Sequence, residues 1–271
     1  MTLPAPAPDR TCLITGASSG IGTDLARELA RRGLGVTLVA RREAPLRQLA
    51  DELSAAHGVR AEVATADLSD SDARERLIAD VQERGLSVDV LVNNAGFSTM
   101  GPVHDSDPRK EISMVRTDVE AVVHLCSAFL PGMVERGSGA VLNVASTAAF
   151  QPLPGQAGYG GSKAFVLSYS HAIAQEVRSR GVTVTVLCPG PVETGFAGAM
   201  GLSDEEASAS LPKLMWRSSA DVAAQAVEGL VKGRTVVIPG VPNRVGARLA
   251  WLMPRRALLP ILARQHPSLR D

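Results

Sequence analysis

Thr15-Gly16-Ala17-Ser18-Ser19-Gly20-Ile21-Gly22 separates an apolar run, Thr11–Thr15, from an amphipathic stretch, Gly20–Arg32. Glycines at this spacing allow a tight strand-to-helix turn whose backbone comes close to another group. Outward from this loop the same alternation continues. Apolar, β-branched runs recur at Val36–Ala40, Arg60–Thr65, Val88–Asn93, Gly139–Ala145, Val182–Cys188 and Thr235–Ile238. Helical patterns fall between them at Ala44–His57, Asp70–Arg84, Arg109–Arg136, Gly158–Ser179 and Ala220–Lys232, the last opened by the capping-box-like Ser218-Ser-Ala-Asp221. The strand runs are nearly continuous in apolar residues, as strands buried on both faces are. Alternating strand and helix predicts right-handed βαβ units, hence an α/β fold: one doubly wound parallel sheet of about seven strands flanked by helices.

Length and composition agree with one domain over residues 10–240, preceded by a flexible Pro/Ala-rich leader, 1–9, and followed by a basic extension, 241–271. Aromatic residues make up only 3%, so the core has to be built from Ala, Val and Leu. The formal net charge is zero, which gives no global attraction to nucleic acid. That balance conceals six arginines and one acid in residues 241–271, a net of +5, against −5 for the rest. Cys12, Cys126 and Cys188 are odd in number and set among apolar residues. They read as small buried hydrophobes in a reducing compartment, with neither a disulfide framework nor a metal site. The N-terminus, MTLPAPAPDR, lacks the charged and apolar regions of a signal peptide, and no apolar run reaches the roughly 18 residues of a membrane span. The expected location is the cytoplasm.

The glycine-rich loop is suited to phosphate, because its amides and the helix start behind it attract an anion. Its spacing, G-x-x-x-G-x-G, is weak evidence alone; its place after the first strand strengthens it. At the end of the second strand, a carboxylate would bind the ribose 2′-hydroxyl of NAD and an arginine the 2′-phosphate of NADP. The strand ends Ala40-Arg41-Arg42, so NADP(H) is the expected cofactor, although Glu43 is an alternative partner for one arginine. Tyr159-Gly-Gly-Ser-Lys163 puts a phenol and an ammonium at i and i+4 on one helical face. A neighbouring cation stabilises the phenolate, which suits Tyr159 to general acid–base work.

Ser146 ends an apolar strand thirteen residues before Tyr159. Together with Thr15–Gly22, Asn93-Asn94-Ala95-Gly96 and Pro189-Gly190-Pro191-Val192-Glu193-Thr194, the set resembles the short-chain dehydrogenase/reductase family over roughly residues 11–195. The resemblance implies a Rossmann-type sheet and a hydride-transfer reaction. Ser146 would bind the substrate oxygen, Tyr159 would transfer the proton, and Lys163 would bind the nicotinamide ribose and lower the phenol's pKa. The cofactor would be lined by Gly16, Ser18, Ser19, Gly20, Ile21 and Gly22, by Arg41 and Arg42, and by Asp67 and Leu68 beside the adenine. Asn93, Ala95, Gly96, Tyr159, Lys163, Pro189, Gly190, Val192 and Thr194 would complete it. Where the resemblance implies an Asn in the following helix, this sequence has Asp118, with Thr117 as another polar candidate; a carboxylate accepts the same hydrogen bonds but, ionised, donates none. Its charge is expected to oppose Lys163 and shift the pH dependence.

The substrate is expected to be a small carbonyl or alcohol compound of apolar character, because Phe97, Met100, Phe150 and the segment Gly195–Met215, a lid in the family, carry large apolar residues. The extension 241–271 is expected to pack near the substrate site or on a neighbouring subunit; contact with an anionic membrane is the alternative. The resemblance also implies a homodimer or homotetramer joined through helices near 109–136 and 158–179. The competing function is a dinucleotide-binding sensor or scaffold with catalysis weakened by Asp118.

Overall fold

The apolar runs become strands in the computed structural model, which describes residues 3–194, 212–265 and 267–269. They are β1 (Arg10–Thr15), β2 (Val36–Ala40), β3 (Ala61–Thr65), β4 (Ser87–Asn93), β5 (Gly139–Val144) and β6 (Val182–Leu187), then two short strands, β7 (Val192–Glu193) and β8 (Arg217–Ser218), and β9 (Val236–Val237). Seven of them form one sheet in the order β3-β2-β1-β4-β5-β6-β9, with every pairing parallel. β7 and β8 pair separately. Successive side chains point to opposite faces, so Ile14, Val90 and Val92 enter one core and Leu13 and Leu91 the other.

Helices cover both faces, as the doubly wound reading requires. α1 (Gly20–Ala30), α2 (Glu43–His57) and α7 (Ser219–Val231) bury Leu25, Leu46 and Val222 in the first core. α3 (Ser71–Glu83), α5 (Ala121–Arg136) and α6 (Ala157–Glu176) bury Leu77, Leu125 and Val166 in the second. Ser218 caps α7, accepting from the Asp221 amide at 3.2 Å. The strand order reverses between β1 and β4, and the crevice beyond their carboxyl ends is where such sheets bind ligands.

Two elements differ from the expected pattern. The single helix expected over 109–136 is divided into α4 (Pro108–Val115), a π-helical turn (Arg116–Glu120) and α5. The apolar period does not register one wide turn, so it ran through the break. Within the expected leader, Leu3 packs on the first core and the Asp9 carbonyl accepts from the Ser87 amide at 2.8 Å. Beyond the sheet, the extension forms α8 (Val241–Leu252) and α9 (Arg255–Gln265).

Candidate active site

The glycine-rich loop leaves β1 and is clipped to the loop after β4. Thr15 Oγ1 donates to the Val92 carbonyl (3.2 Å) and accepts from the amides of Asn94 (2.9 Å) and Ala95 (3.0 Å). Asn94 Nδ2 returns to the carbonyls of Thr15 (2.9 Å) and Gly16 (3.3 Å). Gly16 has a φ of +67°. A Cβ on Gly22 would lie 2.3 Å from the Gly16 oxygen, so only glycine fits there. Ser19, the residue before α1, makes no side-chain cap, which leaves the first-turn amides without a side-chain acceptor. Thr194 comes close to Gly20, where a Cβ would meet its Cγ2 at 3.1 Å. The Pro189–Thr194 turn and the glycine-rich loop thus stand on the same crevice. These open amides and glycine-only approaches fit a dinucleotide's phosphates.

Arg41 and Arg42 are exposed at the end of β2, and Arg42 Nη2 donates to Ser18 Oγ at 3.2 Å. Glu43 is engaged elsewhere, by Arg47 one turn along α2. Neither Arg41 nor Arg42 is in an ion pair among the described residues. Asp67 is exposed after β3; its carboxyl accepts from Ser69 N (3.0 Å) and Oγ (2.8 Å). Burial alone would raise its pKa, but these bonds and nearby Arg41 hold it below the usual value. The Leu68 side chain lies in the core, while its carbonyl accepts from the buried Arg74 at 2.7 Å. Arg74 continues to His124 Nδ1 (3.2 Å) and pairs with Glu120, joining this loop to the π turn.

The π turn carries Asp118. Its carboxylate is buried, with Oδ2 2.9 Å from Lys163 Nζ and Oδ1 accepting from the Phe97 amide at 3.1 Å. Gly96 passes directly over this pair, where a Cβ would lie 2.9 Å from Asp118 Oδ1 and 3.1 Å from Lys163 Nζ. Lys163 Nζ also donates to the Val144 carbonyl at 3.3 Å and stands 5.5 Å from the centre of the Tyr159 ring. Ser146 follows β5, caps a short 3₁₀ turn (Thr147–Phe150) through the Ala148 amide (3.1 Å), and is hydrogen-bonded to the Tyr159 phenol. Gln156, at the start of α6, donates to Ser98 Oγ at 2.7 Å.

Charge in this cluster is set by burial and by three neighbours. Burial pushes the Tyr159 phenol up, Lys163 draws it down, Asp118 pushes it up and Ser146 draws it down; the net direction is up. Burial also raises the Asp118 carboxyl against the pull of Lys163. For Lys163, burial acts to lower the ammonium, but Asp118 beside it prevails and holds it up. The cysteines take no part: burial pushes Cys126 and Cys188 up to about 12 and Cys12 higher still, so all three remain thiols.

The structure therefore brings Ser146, Tyr159, Lys163 and Asp118 together. It sends the Asn93 side chain away from them, into a buried bond with Asn143 Oδ1 (2.8 Å). Asn94, Asn143 and Arg74 organise the site without having been legible as site residues; of these, only Asn94 lies in a recognisable motif. Most of the expected lid, residues 195–211, lies outside the described residues.

Proton-handling side chains beside a dinucleotide crevice are what a nicotinamide-dependent oxidoreductase requires. Known proteins agree. The model of the short chain dehydrogenase family matches residues 10–204, and the chain belongs to that family. Sulfoacetaldehyde reductase 2 of Chromohalobacter salexigens is 36% identical, over 90% of this chain and 94% of that protein. Ketoacyl reductase HetN of Nostoc sp. is 32% identical, over 90% and 83%. Among solved structures, a short-chain dehydrogenase from Sphingobium yanoikuyae in complex with NADPH superposes with a TM-score of 0.79 at 30% identity, covering 93% of this chain and 95% of that one.

Proposed function

We propose that the chain is an NADP(H)-dependent carbonyl reductase or alcohol dehydrogenase acting on a ketone or secondary alcohol. The observation that carries this reading is the Tyr159 phenol, bonded to Ser146 and flanked by Lys163 at 5.5 Å. The dinucleotide, when bound, supplies or accepts the hydride. In reduction Tyr159 gives its phenolic proton to the carbonyl oxygen; in oxidation it takes the hydroxyl proton back. Ser146 orients that oxygen, and Lys163 stabilises the phenolate left behind. The uncapped start of α1 and the glycine-rich loop would hold the pyrophosphate, and Arg41 with Arg42 the 2′-phosphate. Half-buried Phe97, Met100 and Phe150 support an apolar substrate, as does a relative named as a ketoacyl reductase. Exposed Ile112, Val115 and Phe165 on α4 and α6 support assembly through these helices, and the free cysteines support a reducing, cytoplasmic setting.

A panel of carbonyls and alcohols assayed with NADPH and with NADH tests this, with Tyr159→Phe as the control. Turnover should favour NADPH and fall by about 100-fold or more in the control. Equal turnover in the control overturns the mechanism; preference for NADH overturns the assignment of Arg41 and Arg42.

One observation favours a second reading, a dinucleotide-binding sensor with weakened catalysis. The buried Asp118–Lys163 pair neutralises the cation that would activate Tyr159. Wild-type chain that binds NADPH but turns over nothing in the panel, while Asp118→Asn does, would establish it.

A further inference from the structure

The C-terminal extension turns its large apolar residues outward. In α8, the buried residues are small: Asn243, whose Nδ2 donates to the carbonyls of Met215 (2.9 Å) and Pro239 (3.0 Å), and Ala247. Gly246 lies against Met215, with room for a Cβ at 3.9 Å. Val241, Val245, Leu249 and Leu252 follow at i, i+4, i+8 and i+11, a single stripe, and are 61%, 49%, 58% and 70% exposed. Trp251, on the far side of Arg244 and Arg248 from the stripe, is 65% exposed. A helix that only covers a core has the opposite arrangement, with the large apolar residues inward.

Arginines border the stripe. Arg244 and Arg248 are exposed on α8, as are Arg255, Arg256 and Arg264 on α9, and residues 241–265 contain no acid. None of the five is in an ion pair among the described residues. An outward apolar stripe edged by unpaired positive charge matches the interfacial zone of an anionic bilayer in both polarity and sign. A second copy fits less well, because a two-fold contact would set the same five positive charges against each other. No helix among the described residues is long and apolar enough to cross a membrane, so contact would be from one side.

We propose that α8 and α9 form a docking face for an anionic membrane surface, with Val241, Val245, Leu249 and Leu252 set into the headgroup region. α8 packs on the Thr147–Phe150 turn, and Arg255 Nη1 donates to the Phe150 carbonyl at 3.4 Å. Docking therefore holds the substrate side of the site near the bilayer. That orientation rests on the reading of Ser146 given above; the docking itself does not.

Co-sedimentation of the full chain with phosphatidylcholine vesicles, with and without phosphatidylglycerol, tests the proposal independently of activity. Binding should require phosphatidylglycerol and weaken with added salt. It should fall roughly fivefold for each arginine neutralised in Arg244→Gln and Arg248→Gln. Leu249→Glu with Leu252→Glu should abolish it, while an unchanged thermal melt shows that this exposed pair leaves the fold intact. Sedimentation that does not depend on phosphatidylglycerol, or that survives the glutamate pair, overturns the proposal. So does sedimentation velocity in which the glutamate pair splits an oligomer, since that assigns the face to a second copy.

Discussion

Replacing Asp118 with Asn removes a buried negative charge from the neighbourhood of Tyr159 without changing the side chain's size. The contacts of 2.9 Å from Asp118 Oδ2 to Lys163 Nζ and 5.5 Å from Nζ to the ring centre put the carboxylate at most about 8.4 Å from the ring. At an effective dielectric of about 20, a unit charge at that distance is worth about 2 kcal/mol, or about 1.5 pH units; partial solvent screening reduces this toward one unit. The sign is set by the carboxylate, which disfavours the phenolate and favours the ammonium. Its loss lowers both pKa values, so the Tyr159–Lys163 pair releases its first proton at lower pH. Alcohol oxidation needs the deprotonated form. In a plot of kcat/KM against pH for a secondary alcohol, the rising limb should therefore move down by about 1 to 1.5 units. The alkaline limb for carbonyl reduction, which needs the phenol, should move the same way. Removing one partner of a buried pair costs about 3–5 kcal/mol, so a thermal melt has to show that the variant is folded at the assay temperature. Superimposable profiles in a folded variant, or a shift to higher pH, would refute the electrostatic argument.

Three further outcomes follow from the same geometry. Arg41→Ala with Arg42→Ala should weaken NADPH binding by about 10- to 100-fold and leave NADH nearly unchanged, because the lost bonds are charge-assisted and specific to the 2′-phosphate; cofactor fluorescence titration measures both. Gly96→Ala should cut kcat by about tenfold or more, since its Cβ would press on Asp118 and Lys163 at 2.9 and 3.1 Å and part the pair; steady-state kinetics at saturating cofactor reads this out. Asn94→Ala removes the donor shared by the Thr15 and Gly16 carbonyls and should destabilise the fold by about 1–3 kcal/mol in urea titration, with a weaker hold on the cofactor.

The sheet was legible because strands buried on both faces are mostly apolar, and β1, β4, β5 and β6 are buried almost from end to end. Ser146, Tyr159 and Lys163 were legible because a motif preserves their spacing. The π turn was not, since one wide turn hardly disturbs a 3.6-residue period. Asn143 escaped notice because its role depends on which strand lies beside β5, information that exists only once the sheet has formed. Composition marked 241–271 as a basic extension but left open which side of it the protein covers. The covered side turned out to be the small residues, because Asn243 closes on Gly190, where a Cβ would lie 2.4 Å from its Oδ1.

The placement of Lys163 has a cause outside the reactive groups. Asn93 Nδ2 donates to Asn143 Oδ1 (2.8 Å), Asn143 Nδ2 to Ser170 Oγ (2.9 Å), and Ser170 Oγ to the Val166 carbonyl (2.6 Å). This buried chain runs from β4 through β5 to α6. Apolar packing alone tolerates small slips of a helix over a sheet, whereas a satisfied network of directional bonds has one register, and any slip leaves buried amides unpaired. Ser170 lies two turns after Lys163 on α6, so the lock that holds it also sets where the ammonium meets Asp118. The ammonium has little freedom to correct an error, being confined between the Val144 carbonyl and the Asp118 carboxylate beneath Gly96. The buried Asn93 side chain is thus bonded, through Asn143 and Ser170, to the helix that carries Tyr159 and Lys163.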